Sequence, residues 1–198
     1  MDELTPPEPL PLPCLTPELP GIGGRIKENL TDFRVDEQPL YEPAGEGTHL
    51  YFRVTKAGIT TPEAVNRLAR FLNVPPHEIG LAGLKDARSV STQMMSIEHV
   101  EPGALRAFRD PAMSVEPITM HGNKLRPGHL RANRFVIRIR GVSAEHVPAA
   151  AAVLDVLTRR GVPNYFGEQR FGARNDTAAL GECMVRNDLD EFMAIFLG

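Results

Sequence analysis

Leu50-Tyr51-Phe52-Arg53-Val54-Thr55-Lys56-Ala57-Gly58-Ile59-Thr60-Thr61-Pro62-Glu63-Ala64-Val65-Asn66-Arg67-Leu68-Ala69-Arg70-Phe71-Leu72 changes its hydrophobic period halfway along. Leu50, Phe52 and Val54 recur at every second position, the spacing of a strand with one buried face. Val65, Leu68, Ala69 and Leu72 recur at helical spacing and predict one apolar helix face. Thr61-Pro62-Glu63 is a helix start, with a capping hydroxyl, a proline in the first turn and an acid near the positive end of the dipole. Pro75 and Pro76 end the helix.

The same reading extends outward. Upstream, Phe33 and Val35 alternate with polar neighbours, so two strands flank the turn Pro43-Ala44-Gly45-Glu46-Gly47, in which the glycines supply the bend. Downstream, strands are predicted over residues 79–84, 91–99, 114–120 and 135–140, with a short helix over 104–108. Ser143 caps a long helix carrying Val147, Ala151, Leu154 and Leu157, and Arg159, Arg160 and Gly161 close it. Strands and helices interleave without strict alternation. This predicts an α+β fold with a mixed, mainly antiparallel sheet and flanking helices.

With 198 residues, 42% of them hydrophobic, the chain supports one main domain, residues 21–198. Seven of the first twenty residues are proline, so residues 1–20 read as an extended or disordered arm. The start is acidic and lacks the pattern of a signal peptide, and the apolar runs are shorter than a membrane span, which points to the cytoplasm and no membrane partner. Cys14 and Cys183 form no CxxC, so reduced thiols are expected, with neither disulfide nor zinc. Dinucleotide, P-loop, HExxH and GxSxG patterns do not occur.

The formal net charge is -3, yet residues 121–140 hold Lys124, Arg126, Arg131, Arg134, Arg138 and Arg140 with no acid. Phe135, Ile137 and Ile139 alternate there with Arg134, Arg138 and Arg140, predicting a strand half buried and half cationic. Such a stretch is either a solvated face or a footprint for RNA phosphates.

Gly83-Leu84-Lys85-Asp86-Ala87-Arg88-Ser89-Val90-Ser91-Thr92-Gln93 places one carboxylate in a tight loop between two strand candidates, flanked by Lys85 and Arg88. Nearby cations favour an ionised carboxylate, as a nucleophile or base requires, and an ordinary surface ion pair would look the same. The string resembles the active-site motif of the TruD pseudouridine synthases, whose Asp is the essential catalytic residue. A second string, Gly161-Val162-Pro163-Asn164-Tyr165-Phe166-Gly167-Glu168-Gln169-Arg170-Phe171-Gly172, resembles the most distinctive signature of that family. Lys27 six residues ahead of Phe33, the Gly47-Thr48-His49 triplet and Asn133-Arg134-Phe135 also fit. Ala87, Ser89 and Ala132 depart from its commonest pattern, and none removes a charged group.

The resemblance, which runs from about residue 15 to about residue 180, implies a pseudouridine synthase-like catalytic domain. The reaction would be isomerisation of a specific uridine in tRNA, with no cofactor or metal. Asp86 would act as nucleophile or base, with Lys27 as its counter-charge, while Phe33, Asn133 and Phe135 would contact the target nucleotide. The string from Pro163 to Gly172 would shape the pocket wall. Family members continue with an inserted domain and a returning segment. The catalytic domain is therefore expected to be incomplete at the C-terminus, where the run from Phe192 to Leu197 reads as the middle of a fold. An RNA-binding fragment without turnover is the alternative.

Overall fold

Leu50, Phe52 and Val54 are all fully buried, as their alternation requires. They belong to β2 in a sheet formed by β1 (Phe33–Pro39), β2 (His49–Ala57), β3 (Gly80–Leu81), β4 (Val90–Glu98), β5 (Met113–His121) and β6 (Leu130–Ile137). This computed structural model describes residues 13–163, 165 and 174–198. They fall into one unit spanning residues 22–144, which carries the sheet, and another that holds residues 145–198.

The strand order is β5-β2-β4-β1-β6, with β3 also paired to β4. β1 and β4 run parallel and the other pairings are antiparallel, so the sheet is mixed and mainly antiparallel as predicted. β1 and β2 do flank the predicted turn, where Gly45 and Gly47 adopt positive φ. They are not paired, however, because β4 lies between them. Two strand spacings amount to roughly 10 Å. The connection over residues 40–48 is long enough to step across one strand.

The predicted helix is α1 (Thr61–Leu72), which stops at Asn73 in the left-handed region, ahead of Pro75 and Pro76. Its cap is a correction: the Thr60 hydroxyl, one residue earlier, accepts from Glu63 N at 3.2 Å. Ala64, Val65, Leu68 and Ala69 pack on Leu50, Phe52, Val54, Met95 and Ile97, joined by Leu105 and Phe108 from α2 (Pro102–Arg106) and its exit. Each of the larger apolar side chains among them contributes about 1.5–3 kcal/mol when fully buried.

Two strand predictions are corrected. β3 has two residues rather than six, because beyond Leu81 the backbone bonds elsewhere: Ala82 O accepts from Gly128 N, and Gly83 O accepts from Gln93 Nε2. β6 begins five residues earlier than predicted, ends at Ile137 short of Ile139 and Arg140, and is not half buried, since Phe135 and Ile137 are both exposed, as is Ile139 beyond its end. β6 lies at the edge of the sheet, while the α1 core covers the face over β2 and β4. An exposed strand carries little hydrophobic periodicity, and its polar first half gives no sign of itself in the sequence.

In the other unit, α3 (Val147–Arg160) starts after a 3-10 turn at Ala144–His146 rather than at Ser143, and it ends at Gly161 with φ 81°. α4 (Thr177–Arg186) turns at Asn187, in the left-handed region, into α5 (Leu189–Leu197), whose cap Asp188 accepts from Glu191 N. Leu189, Met193, Phe196 and Leu197 are exposed. Residues 13–20 carry neither helix nor strand; the rest of the predicted arm lies outside the described residues. Among the described residues no helix is long and apolar enough to cross a membrane, and Cys14 and Cys183 are free thiols.

Candidate active site

β1 and β3 share one edge of β4, β1 along Val90–Thr92 and β3 along Met95 and Ser96. Residues 82–89 leave β3, turn, and enter β4 at this junction. Backbone groups of Gly83, Lys85 and Asp86 are satisfied by side chains, as buried polar groups require. Lys85 N donates to Thr61 Oγ at 2.9 Å, and that hydroxyl lies 3.1 Å from Gln93 Oε1. Because Thr60 caps α1, Thr61 is left to face this loop. The Ser89 hydroxyl donates to Asp86 O at 2.8 Å, a bond that alanine at this position would lack.

Lys56 supplies the strongest of these contacts. It continues the inward parity of Leu50, Phe52 and Val54, is 1% exposed, and its Nζ donates to Ile59 O at 2.8 Å, Asp86 O at 2.9 Å and Lys85 O at 3.3 Å. Burial pushes this ammonium below the usual lysine range, and the negative charge of Asp86 opposes the shift. The sequence reading missed Lys56. A lysine on the apolar parity of a strand was the available signal.

With its backbone held, Asp86 turns its carboxylate outward, 48% exposed, and Lys27 Nζ meets Oδ2 at 2.7 Å. Lys27 has φ 58°, an uncommon conformation for a residue with a side chain, and its Nζ also lies 4.1 Å over the centre of the Phe33 ring. Lys85, the sequence neighbour read as a flanking cation, instead turns inward to Glu37 at 2.7 Å. Those side chains are 5% and 1% exposed, and Glu37 Oε1 also accepts from Met94 N, where β1 parts from β4.

Glu37 faces Asn133 across the β1–β6 ladder, Val35 faces Phe135, and Phe33 faces Ile137. Residues opposed in a ladder share a face, so Phe33, Asn133 and Phe135 lie on one side of the sheet. The Phe33 and Phe135 rings meet edge to face with centres 5.9 Å apart. Phe135 is 54% exposed, leaving ring surface open. Asn133 Oδ1 is buried and has no hydrogen-bond partner among the described residues. The structure thus gathers Lys27, Phe33, Asp86 and Phe135 through successive contacts and sets Asn133 on the same face beside Glu37.

The cationic strand divides. Arg140 forks onto Asp32, with Nε and Nη2 each 2.7 Å from a carboxylate oxygen, and Asp32 is fully buried. This hydrogen bonding lowers the Asp32 carboxyl to about 2, against the opposing effect of burial, with Asn29 N adding a further bond. Arg140 therefore anchors the turn that precedes Phe33. Arg134 is exposed, 3.8 Å from Asp36, and Arg138 is exposed as well. Most of the second string, including Asn164, Gln169 and Arg170, lies outside the described residues. Among the described residues no group of His, Cys, Asp and Glu is arranged to hold a metal ion.

The sequence profile of the family described as tRNA pseudouridine synthase D (TruD) matches residues 10–198. The tRNA pseudouridine synthase D of Geotalea daltonii is 47% identical over 176 residues, covering 89% of this chain and 44% of that protein. The tRNA pseudouridine synthase D of Anaeromyxobacter sp. strain Fw109-5 is 46% identical over 176 residues, covering 89% of this chain and 50% of its own length. A crystal structure of a Methanosarcina mazei chain assigned as tRNA pseudouridine synthase D (TruD) superposes with a TM-score of 0.78 at 28% identity, over 90% of this chain and 42% of that one. The chain spans about half the length of the curated relatives it matches. With a family match that runs through the sheet, the Asp86 loop and the helices beyond, this chain belongs to the tRNA pseudouridine synthase D (TruD) family.

Proposed function

We propose that the site around Asp86 isomerises a uridine of tRNA to pseudouridine, and that it does so in the cytoplasm without a cofactor or metal. The observation that carries this reading is the Lys27–Asp86 pair, a 2.7 Å contact on an exposed carboxylate whose residue is held at its carbonyl by Lys56 and Ser89, with the Phe33 ring under the lysine and the exposed Phe135 ring against it.

A uridine must leave its stack before a side chain can reach it, at a cost of a few kcal/mol. Stacking on a ring such as Phe135, with Phe33 behind it, returns about 1–3 kcal/mol. Asn133 Oδ1, unpartnered among the described residues, is suited to accept the uracil N3–H, while its amide NH2 can donate to a uracil carbonyl. The carboxylate of Asp86 then either attacks C1′ or removes the C2′ proton to give a glycal, and in both cases the electron pair of the C1′–N1 bond leaves with the base. After the base turns, C5 bonds to C1′, Asp86 is released in its starting form, and the C5 proton is lost as N1 gains one. No atom is gained or lost overall. Lys27 holds the carboxylate direction and supplies the opposite charge beside it.

Release of tritium from tRNA labelled at uracil C5 tests this reading. Turnover that depends on Asp86 supports it, and binding of tRNA without release contradicts it. The second reading, an RNA-binding fragment without turnover, is consistent with a chain that spans 44–50% of the length of these curated relatives.

A further inference from the structure

We infer that Lys56 is a positioning residue for Asp86, its buried ammonium fixing the two peptide planes on either side of the Asp86 Cα. The inference rests on the catalytic reading of Asp86 for its consequence, but not for its geometry.

An ammonium carries three donors and no acceptor. Those of Lys56 meet three backbone oxygens, of Ile59, Lys85 and Asp86, at 2.8, 3.3 and 2.9 Å. The Lys85 carbonyl belongs to the peptide plane entering Asp86, and the Asp86 carbonyl to the plane leaving it. Holding both planes sets φ and ψ of Asp86 and hence the direction of its Cα–Cβ bond. What remains free is the side-chain rotation, and Lys27 limits that from outside through its 2.7 Å contact with Oδ2. Lys56 thus orients the backbone of Asp86, and Lys27 orients its carboxylate.

The third acceptor ties this turn to the rest of the unit. Ile59 lies between β2 and α1, and Lys56 is the β2 residue paired with Ser91 near the start of β4. The Asp86 turn is therefore referenced to the sheet and the start of α1 rather than only to its neighbours in sequence. A buried charge is costly unless its donors are satisfied, and no carboxylate forms an ion pair with Lys56 among the described residues. An apolar side chain would fit the surrounding core parity, but it would leave the Ile59 carbonyl without the Lys56 donor and the Lys85 carbonyl with only the long 3.4 Å contact of the Thr61 hydroxyl, which also faces Gln93. Ser89 backs up Asp86 O alone. Lys56 is the side chain that grips both planes.

The experiment compares wild type with Lys56→Met and Ser89→Ala by amide hydrogen exchange and by tritium release from tRNA. For Lys56→Met, amides of residues 84–90 should exchange on the order of tenfold faster while β2 and β4 stay protected. The kcat should fall by at least about a hundredfold, with the KM for tRNA changed less than about threefold, because a displaced carboxylate affects the reacting geometry and not the RNA contacts. Ser89→Ala should stay within about tenfold of wild-type kcat, since one carbonyl loses one of its two donors. If Lys56→Met loses protection throughout the sheet, Lys56→Arg decides. Its planar fork keeps the charge but cannot meet three converging carbonyls, so the sheet should stay protected and residues 84–90 should loosen. Unchanged exchange over residues 84–90 in the folded variants, or loss of kcat and KM in equal measure, overturns the inference. A wild-type protein that releases no tritium contradicts the proposed reaction instead, and hydrogen exchange then judges the Lys56 geometry by itself.

Discussion

Lys27 Nζ and Asp86 Oδ2 lie 2.7 Å apart although 59 positions separate the residues. Lys27 reaches this place from a left-handed backbone conformation, with the Phe33 ring beneath its ammonium. Strained backbone that persists is held by its surroundings and is commonest at functional sites. Here the bidentate contact between Arg140 and Asp32 holds the turn just after Lys27, and the carboxylate of Asp86 receives the lysine.

Asp86→Asn preserves shape and removes the charge. Turnover in the tritium-release assay is expected to fall more than about a hundredfold, a barrier increase above roughly 2.7 kcal/mol. Affinity for tRNA, measured by filter binding, should stay within a few-fold. Residual turnover above a hundredth of wild type would remove Asp86 from the centre of the reaction.

Lys27→Met keeps the length of the side chain and its packing over Phe33 but deletes the counter-charge. A kcat loss of at least about tenfold is expected, at little change in thermal stability, because the pair is partly solvated and such pairs contribute only about 0–1 kcal/mol to folding. A fall in melting temperature comparable to that of a core truncation would mark Lys27 as structural.

Asp32 has its carboxyl lowered from 3.8 to about 2 by the Arg140 contact. A depressed carboxyl contributes stability that is present in full above its unfolded value and is lost as pH falls through the folded one. The difference in melting temperature between wild type and Asp32→Asn should therefore be largest above about pH 4 and shrink as pH falls from 4 towards 2. Thermal unfolding at stepped pH reads this directly. An equal difference at pH 2 and pH 7 would contradict the assignment.

Arg134 and Arg138 are exposed, whereas Arg140 is committed to Asp32. If the first two meet phosphates, Arg134→Ala and Arg138→Ala should each weaken tRNA binding and make its salt dependence shallower by close to one unit of slope. Arg140→Ala should instead lower the melting temperature and leave the salt slope unchanged. Binding titrations at several salt concentrations separate the three. Unchanged slopes for Arg134→Ala and Arg138→Ala would return the strand to an ordinary solvated face.

Periodicity made much of the sheet and α1 legible, because buried faces impose a spacing of two on strands and of three to four on helices. The start of α1 was readable to within one residue, as were the bounds of β4 and β5. β6 was not, because in an edge strand whose Phe135 and Ile137 are both exposed no burial enforces that spacing over the first half. Lys56 stood in plain view as a charge on the inward parity of β2. Reading it as significant would have required asking where its three donors could go.

Residue order alone was enough for most of the local elements, the motif that holds Asp86, and the family. These depend on spacings within a few turns of chain. The partner of each charge, in contrast, is set only once the chain has folded: Lys27 rather than Lys85 meets Asp86, Lys85 meets Glu37, and Arg140 meets Asp32 instead of presenting itself to solvent. The order β4-β1-β6 brings these groups together from positions as far apart as 108 residues. Ion pairs form between groups that the fold places within a few ångströms, and neither proximity in sequence nor composition specifies that distance.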